Sequence, residues 1–231
     1  MAIKIRSLEE LLDNLNDDIL WRKKEIADMK LTIEIMNKPA YLIRAGFVML
    51  CAHFEGFIRY ASNAYIAYIS AQRLKTLELN KNFHAITLRF HNSNLFSIRS
   101  EKVKTTVIKQ LIDKYHELLE KEFVLKISDD NIPFIDEDNP AIHTESNPTS
   151  TVLKEISSIL GLDYDSLFRS REHFIDGELL NPRHQIAHGR NRPIRYESYI
   201  EVYNYVLLII DNYLDAIMFE ANSESYLLIN S

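Results

Sequence analysis

The scarcity of glycine and proline is the feature that most limits the fold of this chain. It has 5 glycines and 6 prolines in 231 residues, well under half of the roughly 12% that the two contribute on average. Tight turns and strained backbone depend on these residues. Their scarcity therefore argues against β-sandwiches, barrels and glycine-rich nucleotide-binding loops. With 46% hydrophobic and 26% charged residues, the composition is that of a folded globular protein and excludes disordered and fibrous classes.

The spacing of apolar residues predicts long helices. Ser7 and Glu10 match a capping box, and apolar residues recur at helical spacing from Leu8 to about Met36. Pro39 can open a second helix that runs to about Gln72 and is apolar on most faces, so we expect it to be the central helix. Further helices are predicted at 101–123, at 195–221, and from a cap at Thr151 to Gly161.

These elements predict an all-α helical bundle. We expect one domain over residues 1–231, with an inserted helical and loop segment at about 74–147. Within it, residues 128–147 hold six acidic side chains, two prolines and no lysine or arginine. This stretch is predicted to be an exposed loop that would repel RNA.

Net charge, cysteine content and the lengths of the apolar runs indicate the compartment in which the protein works. The net charge is −6, which tells against a chain coated with positive charge for non-specific nucleic-acid binding but not against one local basic site. A single cysteine, Cys51, excludes an intrachain disulfide and fits a reducing compartment. The longest apolar run, Ala45 to Ala52, is far below the ~18 residues of a membrane span, and the acidic N-terminus is unlike a secretory signal. We therefore expect a cytoplasmic protein that does not associate with a membrane.

The stretch from Asn181 to Arg195 departs from ordinary bundle sequence. It contains four arginines, two of the eight histidines and no acidic residue. Such a concentration of positive charge suits a phosphate, although a solvated basic loop has the same composition. Asn181 and Pro182 suit the first positions of a helix, whose free amides would also favour a phosphate.

Helical geometry separates the side chains of this stretch. At ~100° per residue, His184 and His188 lie about 40° apart on one face, whereas Arg183 and His188 diverge by about 140°. One helix therefore aims Arg183 and His188 awkwardly at a single phosphate. A second copy across a twofold axis would complete the set, which predicts a homodimer. Gly189 would let a substrate backbone approach closely.

The pattern Arg183-His184-Gln185-Ile186-Ala187-His188, followed by Gly189, resembles the signature of the HEPN superfamily (higher eukaryotes and prokaryotes nucleotide-binding domain). Residues 17–31 and 41–60 are similar to the first two helices of a bacterial HEPN subgroup linked to toxin–antitoxin and antiphage systems. The similarity covers about 130 of the 231 residues and does not account for residues 74–147.

The resemblance implies a helical bundle that dimerises around two motifs and a metal-independent endoribonuclease activity. It assigns His188 as general acid/base, Arg183 as the cation on the scissile phosphate, and His184 to the polar position that is more often Asn or Asp. The chemistry of the residues agrees, because histidine titrates near neutrality and arginine is a fixed planar cation. The expected products are a 2′,3′-cyclic phosphate and a 5′-hydroxyl. Arg190 stands where some HEPN toxins have a tyrosine that a partner enzyme modifies, so that form of silencing is not expected here.

Other residues are candidates for binding RNA. The site would draw on the cations Arg190, Arg192 and Arg195. It would also draw on His53 and Glu55, because the subgroup carries a similar His-aromatic-Glu in its second helix. The plainer interpretations are a buried structural role for His53 and, for Glu55, either an ion pair with an arginine such as Arg183 or exposure to solvent. His184 and His188 also have the spacing of two zinc ligands, with Asp176 or Glu178 as a third, but the nearby arginines disfavour a cation, and we predict no metal and no cofactor.

Two functions remain open from the sequence. The first is an HEPN-type ribonuclease, the toxin or effector of a defence system, with RNA as substrate and a cognate antitoxin or defence protein as partner. The second is a non-catalytic HEPN-like module that binds RNA, a nucleotide or a protein.

Overall fold

The computed structural model describes residues 2–91, 105–145 and 147–228. Within these residues the main elements are eight α-helices and three short strands. The helices are α1 (Leu8–Ile35), α2 (Ala40–Ala71), α3 (Lys81–His91), α4 (Thr105–Leu119), α5 (Ser150–Leu160), α6 (Tyr164–Leu167), α7 (Asn181–Ala187) and α8 (Tyr196–Asn222). The strands are β1 (Ala2–Ile3), β2 (Lys126–Ile127) and β3 (Pro133–Asp136). The prediction of an all-α bundle is confirmed.

The start of α1 forms only half of the predicted capping box. The Ser7 hydroxyl accepts the Glu10 N–H at 3.1 Å, as expected for an N-cap. The Glu10 carboxylate accepts instead from the backbone N–H and the guanidinium of Arg6. The helix ends before Asn37 and Lys38, which both have left-handed backbone, and Pro39 then starts α2.

Helix α2 is the central helix, as its apolar sequence predicts, and it packs against α1 and α8. Side chains of both neighbours reach α2 at Gly46, where an added Cβ would lie 2.8 Å from Ile33 Cδ1 and 3.2 Å from Tyr199 Cε2. Farther along, the Ser62 and Tyr213 hydroxyls are 2.8 Å apart in the core. The helix therefore has a small residue where both neighbours approach and, at Ser62, a buried hydroxyl that has a partner on α8.

Two helices, α2 and α8, are long and apolar enough to cross a membrane by length and composition alone. The core helices of a helical bundle meet the same criterion, and both helices supply core residues here, among them Phe57 and Ile210. The criterion averages over a window, which is why it selects helices that contain no unbroken apolar run of that length.

Residues 128–147 differ from the predicted exposed loop. They contain β3, which lies between β1 and β2 in a small antiparallel sheet and packs on α2. The side chains of Ile135, Ile142 and Thr144 are buried. Asn63 of α2 binds both backbone polar groups of Ile142, at 3.0 and 3.1 Å. The acidic residues remain at the surface of this segment while its apolar residues reach the core, which a composition count does not reveal.

The helices on either side of this segment were largely anticipated. Helix α4 falls inside the predicted 101–123, whose first residues lie outside the described part of the chain. Helix α5 is capped by Thr149 and not by Thr151, because the Thr149 hydroxyl accepts the Val152 N–H. The helix ends as predicted at Gly161, whose φ is 77°. The prediction of one domain with an insertion at about 74–147 stays a prediction.

Candidate active site

The basic motif lies on α7, but this helix does not begin freely at Asn181. A π-helix, Phe174–Leu180, runs directly into α7, and the Asn181 N–H donates to the Asp176 carbonyl. The expected exposed helix N-terminus with free amides is therefore wrong. Pro182 does lie in the first turn of α7, and it has no N–H to donate to the preceding π-helix. Single π-turns inside helices are often found at functional sites.

The motif sits at the C-terminal end of α7, which closes in a Schellman motif. His188 is the C-cap residue and Gly189 follows with φ 72°. The Gly189 N–H donates to the Ile186 carbonyl and the Arg190 N–H donates to the Gln185 carbonyl, both at 3.0 Å. Gly189 is thus explained by the left-handed backbone that ends the helix. The earlier interpretation, close approach of a substrate, is not needed to account for it.

The two histidines lie on one face of α7, as their spacing predicts. The centroids of the His184 and His188 rings are 4.3 Å apart with the planes at 58°. Both residues are exposed, so both rings can meet a ligand from solvent.

Arg183 is positioned by α2. Its Nη2 lies 3.8 Å from Glu55 Oε2, with both side chains partly buried. The other Glu55 oxygen accepts the Thr144 hydroxyl at 2.9 Å. Thr144, which sequence reasoning missed, thus links the segment after β3 to Glu55 and through it to Arg183. The predicted pairing of Glu55 with Arg183 is present.

The turn after the motif is also tied to α2. Arg44 Nη2 donates to the Arg190 carbonyl at 3.1 Å. On the other side, the Cys51 thiol lies 3.5 Å from the Leu179 carbonyl, and burial raises the pKa of this thiol to about 12. Contacts from one helix therefore hold the end of the π-helix, Arg183 and the turn after His188.

A comparison with protein families gives the same assignment. The family described as RiboL-PSP-HEPN matches residues 17–218, a range that includes the motif and runs through residues 74–147. The chain belongs to the RiboL-PSP-HEPN family. No match was found among curated proteins or among solved structures. The HEPN superfamily includes ribonucleases, so the family membership indicates an RNA-related module.

In this HEPN domain, His53 is not brought to the motif. Its side chain is buried, with Nε2 3.0 Å from Glu25 Oε2 and its ring edge-on to Trp21, both on α1. Burial is the main reason that the pKa of His53 is lowered. The plainer interpretation, a structural histidine between α1 and α2, fits this placement better than contact with substrate.

The three arginines after the HEPN motif are all exposed. Arg190 belongs to the turn held by Arg44. Arg192 and Arg195 line a separate cavity beside Pro182, together with Glu178 and Glu201. Nothing in the sequence pattern signalled this cavity, because its walls come from the π-helix, the segment before α8 and the first turns of α8.

The residues considered as zinc ligands do not converge. Asp176 accepts the backbone N–H and the hydroxyl of Ser150 at 2.8 and 2.5 Å, so it caps α5 and is turned away from His184 and His188. Across the described residues, no group of three or more His, Cys, Asp or Glu side chains has an arrangement that could hold a metal ion.

Proposed function

We propose that the protein is an HEPN-type endoribonuclease that cleaves RNA without a metal ion, as a cytoplasmic toxin or antiphage effector. One arrangement carries the proposal. On a single short helix, Arg183 is held by Glu55 while His184 and His188 present adjoining rings to solvent. This provides a fixed cation for a phosphate and an imidazole for proton transfer in one motif.

The proposed reaction uses these groups directly. His188 takes the proton of the ribose 2′-hydroxyl, and the 2′-oxygen attacks the adjacent phosphorus. The bond from phosphorus to the 5′-oxygen breaks, and a histidine of one of the two motifs that a homodimer would bring together protonates that oxygen. Arg183 stabilises the negative charge that builds on the phosphate oxygens. The products are a 2′,3′-cyclic phosphate and a 5′-hydroxyl.

Glu55 acts in this scheme as a positioning residue. A carboxylate at 3.8 Å limits the orientations of the Arg183 side chain without occupying all five of its N–H donors. Glu55→Gln should therefore lower the cleavage rate more than RNA affinity. Thr144→Val removes only the hydrogen bond from the Thr144 hydroxyl to Glu55, so it should lower the cleavage rate by a smaller factor than Glu55→Gln.

We further propose that the active form is a homodimer that joins two motifs. Exposed large apolar residues at the end of α1 and the start of α2 support this. They are Leu31, Ile35, Met36 and Tyr41, each at least 54% exposed. Tyr41 lies one turn before Arg44, which binds the Arg190 carbonyl. Exposed apolar surface of this kind marks interaction sites.

The decisive experiment incubates purified protein with RNA in EDTA and maps the ends. Cleavage should persist and leave cyclic phosphate ends. His188→Ala should lower the rate by the ~10²- to 10⁴-fold typical of a lost general acid or base, with RNA affinity kept. Arg183→Ala should lower both the cleavage rate and the RNA affinity, and His184→Asn should keep appreciable cleavage activity. His116→Ala, an exposed histidine on α4, is the matched control and should behave as wild type.

Other outcomes separate the alternatives. Activity that is lost with chelator and restored by zinc would favour metal binding at His184 and His188. RNA binding without cleavage by the wild type would favour the non-catalytic module. Light scattering tests the dimer, and a monomer that cleaves at high dilution would refute the shared cleft. In bacteria, the wild type should arrest growth unless a cognate antitoxin or defence partner is present, and His188→Ala at equal folded yield should not.

A further inference from the structure

We propose that the cavity beside α7 binds a guanine base of single-stranded RNA, next to the phosphate that is cut. This inference rests on the proposed ribonuclease function and adds a specificity site to it. The cavity has a volume of ~260 Å³ and is lined by residues from α2, the π-helix, α7, the segment before α8 and the first turns of α8.

The position of the cavity ties it to the motif. Pro182 in its wall directly precedes Arg183 in the chain. Arg192 and Arg195, which also line it, follow the turn that starts at His188. The cavity is therefore flanked by the two ends of the motif segment. A strand whose phosphate meets Arg183 and His188 would place a neighbouring nucleotide within reach of it.

The apolar part of the cavity suits a planar ring. The partly buried Phe174 lines it and is the ring that a base could reach, while Phe47 beside it is buried in the core. The Phe174 ring is itself fixed edge-on against Tyr205, with 4.4 Å between centroids. Aromatic side chains are the surfaces on which unstacked RNA bases commonly stack. The π-helix contributes here, because it carries Phe174 and Glu178 on one short segment.

The charged groups of the cavity are of both signs. Glu178 and Glu201 line it together with Arg192 and Arg195. Among the described residues, none of these four takes part in an ion pair of 4.0 Å or less. All four are exposed. They are thus available to a ligand that carries both negative charge and hydrogen-bond donors.

A guanine nucleotide has this combination. Its phosphates match the arginines, which bind phosphate through a planar fork. An ionised carboxylate only accepts hydrogen bonds, and the Watson–Crick edge of guanine offers it two donor groups side by side, N1–H and the 2-amino group. Adenine and cytosine offer one amino group, and uracil offers one N–H between two carbonyls that repel a carboxylate. The carboxylates therefore favour guanine over the other three bases.

The first test uses cleavage of a single-stranded RNA library with randomised positions. The wild type should show guanine enriched at one position beside the cut. In the double variant Glu178→Gln/Glu201→Gln, the preference for guanine should fall about tenfold, within the range for a lost bidentate contact to a base. The total cleavage rate should fall by a smaller factor. Glu197→Gln is the matched control, since Glu197 is an exposed residue of α8 outside the cavity. Cleavage with no base preference, or with a preference that the double variant keeps, would overturn the inference and leave the ribonuclease standing.

The second test does not need activity. The His188→Ala protein is titrated with short RNAs that differ only in one base. A guanine-containing RNA should bind more tightly than its adenine counterpart, and the added Glu178→Gln/Glu201→Gln changes should remove the difference. If the wild type never cuts RNA yet this difference is present, the site is supported and the proposed function fails. Equal binding of the two RNAs counts against the site.

Discussion

Replacing Gly189 with alanine tests whether this glycine serves the backbone or the substrate. Its φ of 72° lies in the left-handed region, and an added Cβ would meet no atom within 4 Å. The cost of Gly189→Ala is therefore purely conformational, roughly 1–2 kcal/mol. The unfolded chain loses entropy with alanine, which returns about 0.4–1 kcal/mol. We expect a net loss of about 1 kcal/mol in the free energy of unfolding.

Gly161 provides the matched control. It ends α5 with φ 77°, and its added Cβ would make only an ordinary contact, 3.6 Å from Asn82 Nδ2. Gly161→Ala should therefore cost nearly the same as Gly189→Ala. For a chain of this size, each change should lower the melting temperature by ~2–4 °C. Gly189→Asn should recover part of the loss, because asparagine tolerates left-handed backbone.

The assay combines urea unfolding with RNA cleavage on the same preparations. If Gly189 only closes the helix, cleavage by Gly189→Ala should stay close to wild type at a temperature where the variant is fully folded. Unchanged stability at position 189 alongside a loss at position 161 would refute the helix-closing argument. A cleavage defect in the folded variant would restore the interpretation that substrate approaches this glycine.

Three further predictions concern the core helix α2. Gly46→Ala should lower the free energy of unfolding, measured in urea, by about 1 kcal/mol or more. The added Cβ would lie 2.8 Å from Ile33 and 3.2 Å from Tyr199, and the cost of this overpacking exceeds the gain in helix propensity. Burial lowers the pKa of His53 below 6.5, so the unfolded state binds its proton more readily. Neutral His53 therefore makes its whole contribution to the free energy of unfolding above pH 6.5, and this contribution declines as the pH falls toward the folded-state pKa. In His53→Gln, the free energy of unfolding should vary less with pH over that range. The Cys51 thiol, with its pKa raised to about 12 by burial, should resist iodoacetamide in the native protein and react on denaturation, and rapid native labelling would show that the α2 core opens readily.

Local sequence signals were sufficient for most of the helices. The periodicity of α1, α2 and α8 reports directly which face is buried, and Gly161 marked the end of α5 because its left-handed backbone is a local requirement. The pairing of Glu55 with Arg183 was also anticipated, since a carboxylate among apolar residues needs a cation. The helices and the helix end depend on residues within a turn of one another, and the Glu55–Arg183 pair depends on the need of a carboxylate for a cation.

The remaining features depend on contacts between distant segments. Thr144 meets Glu55 two residues after Ile142, whose backbone is bound by Asn63 of α2, whereas the acidic composition of that segment pointed to a solvated loop. Asn181 has the sequence of a helix start, yet the preceding π-helix supplies its hydrogen-bond partner. A π-turn is set by tertiary packing and leaves no periodicity of its own.

The sequence by itself determined the helical class, the order of the long helices and the identity of the motif, because these follow from local propensity and from residue types at short spacing. The tertiary structure decided where the motif's side chains are held. Helix α2 places Glu55 against Arg183 and turns His53 toward α1 instead, and the π-helix brings Glu178 and Phe174 to one cavity with Arg192 and Arg195. These placements come from packing between segments far apart in the chain, which no short window of sequence records.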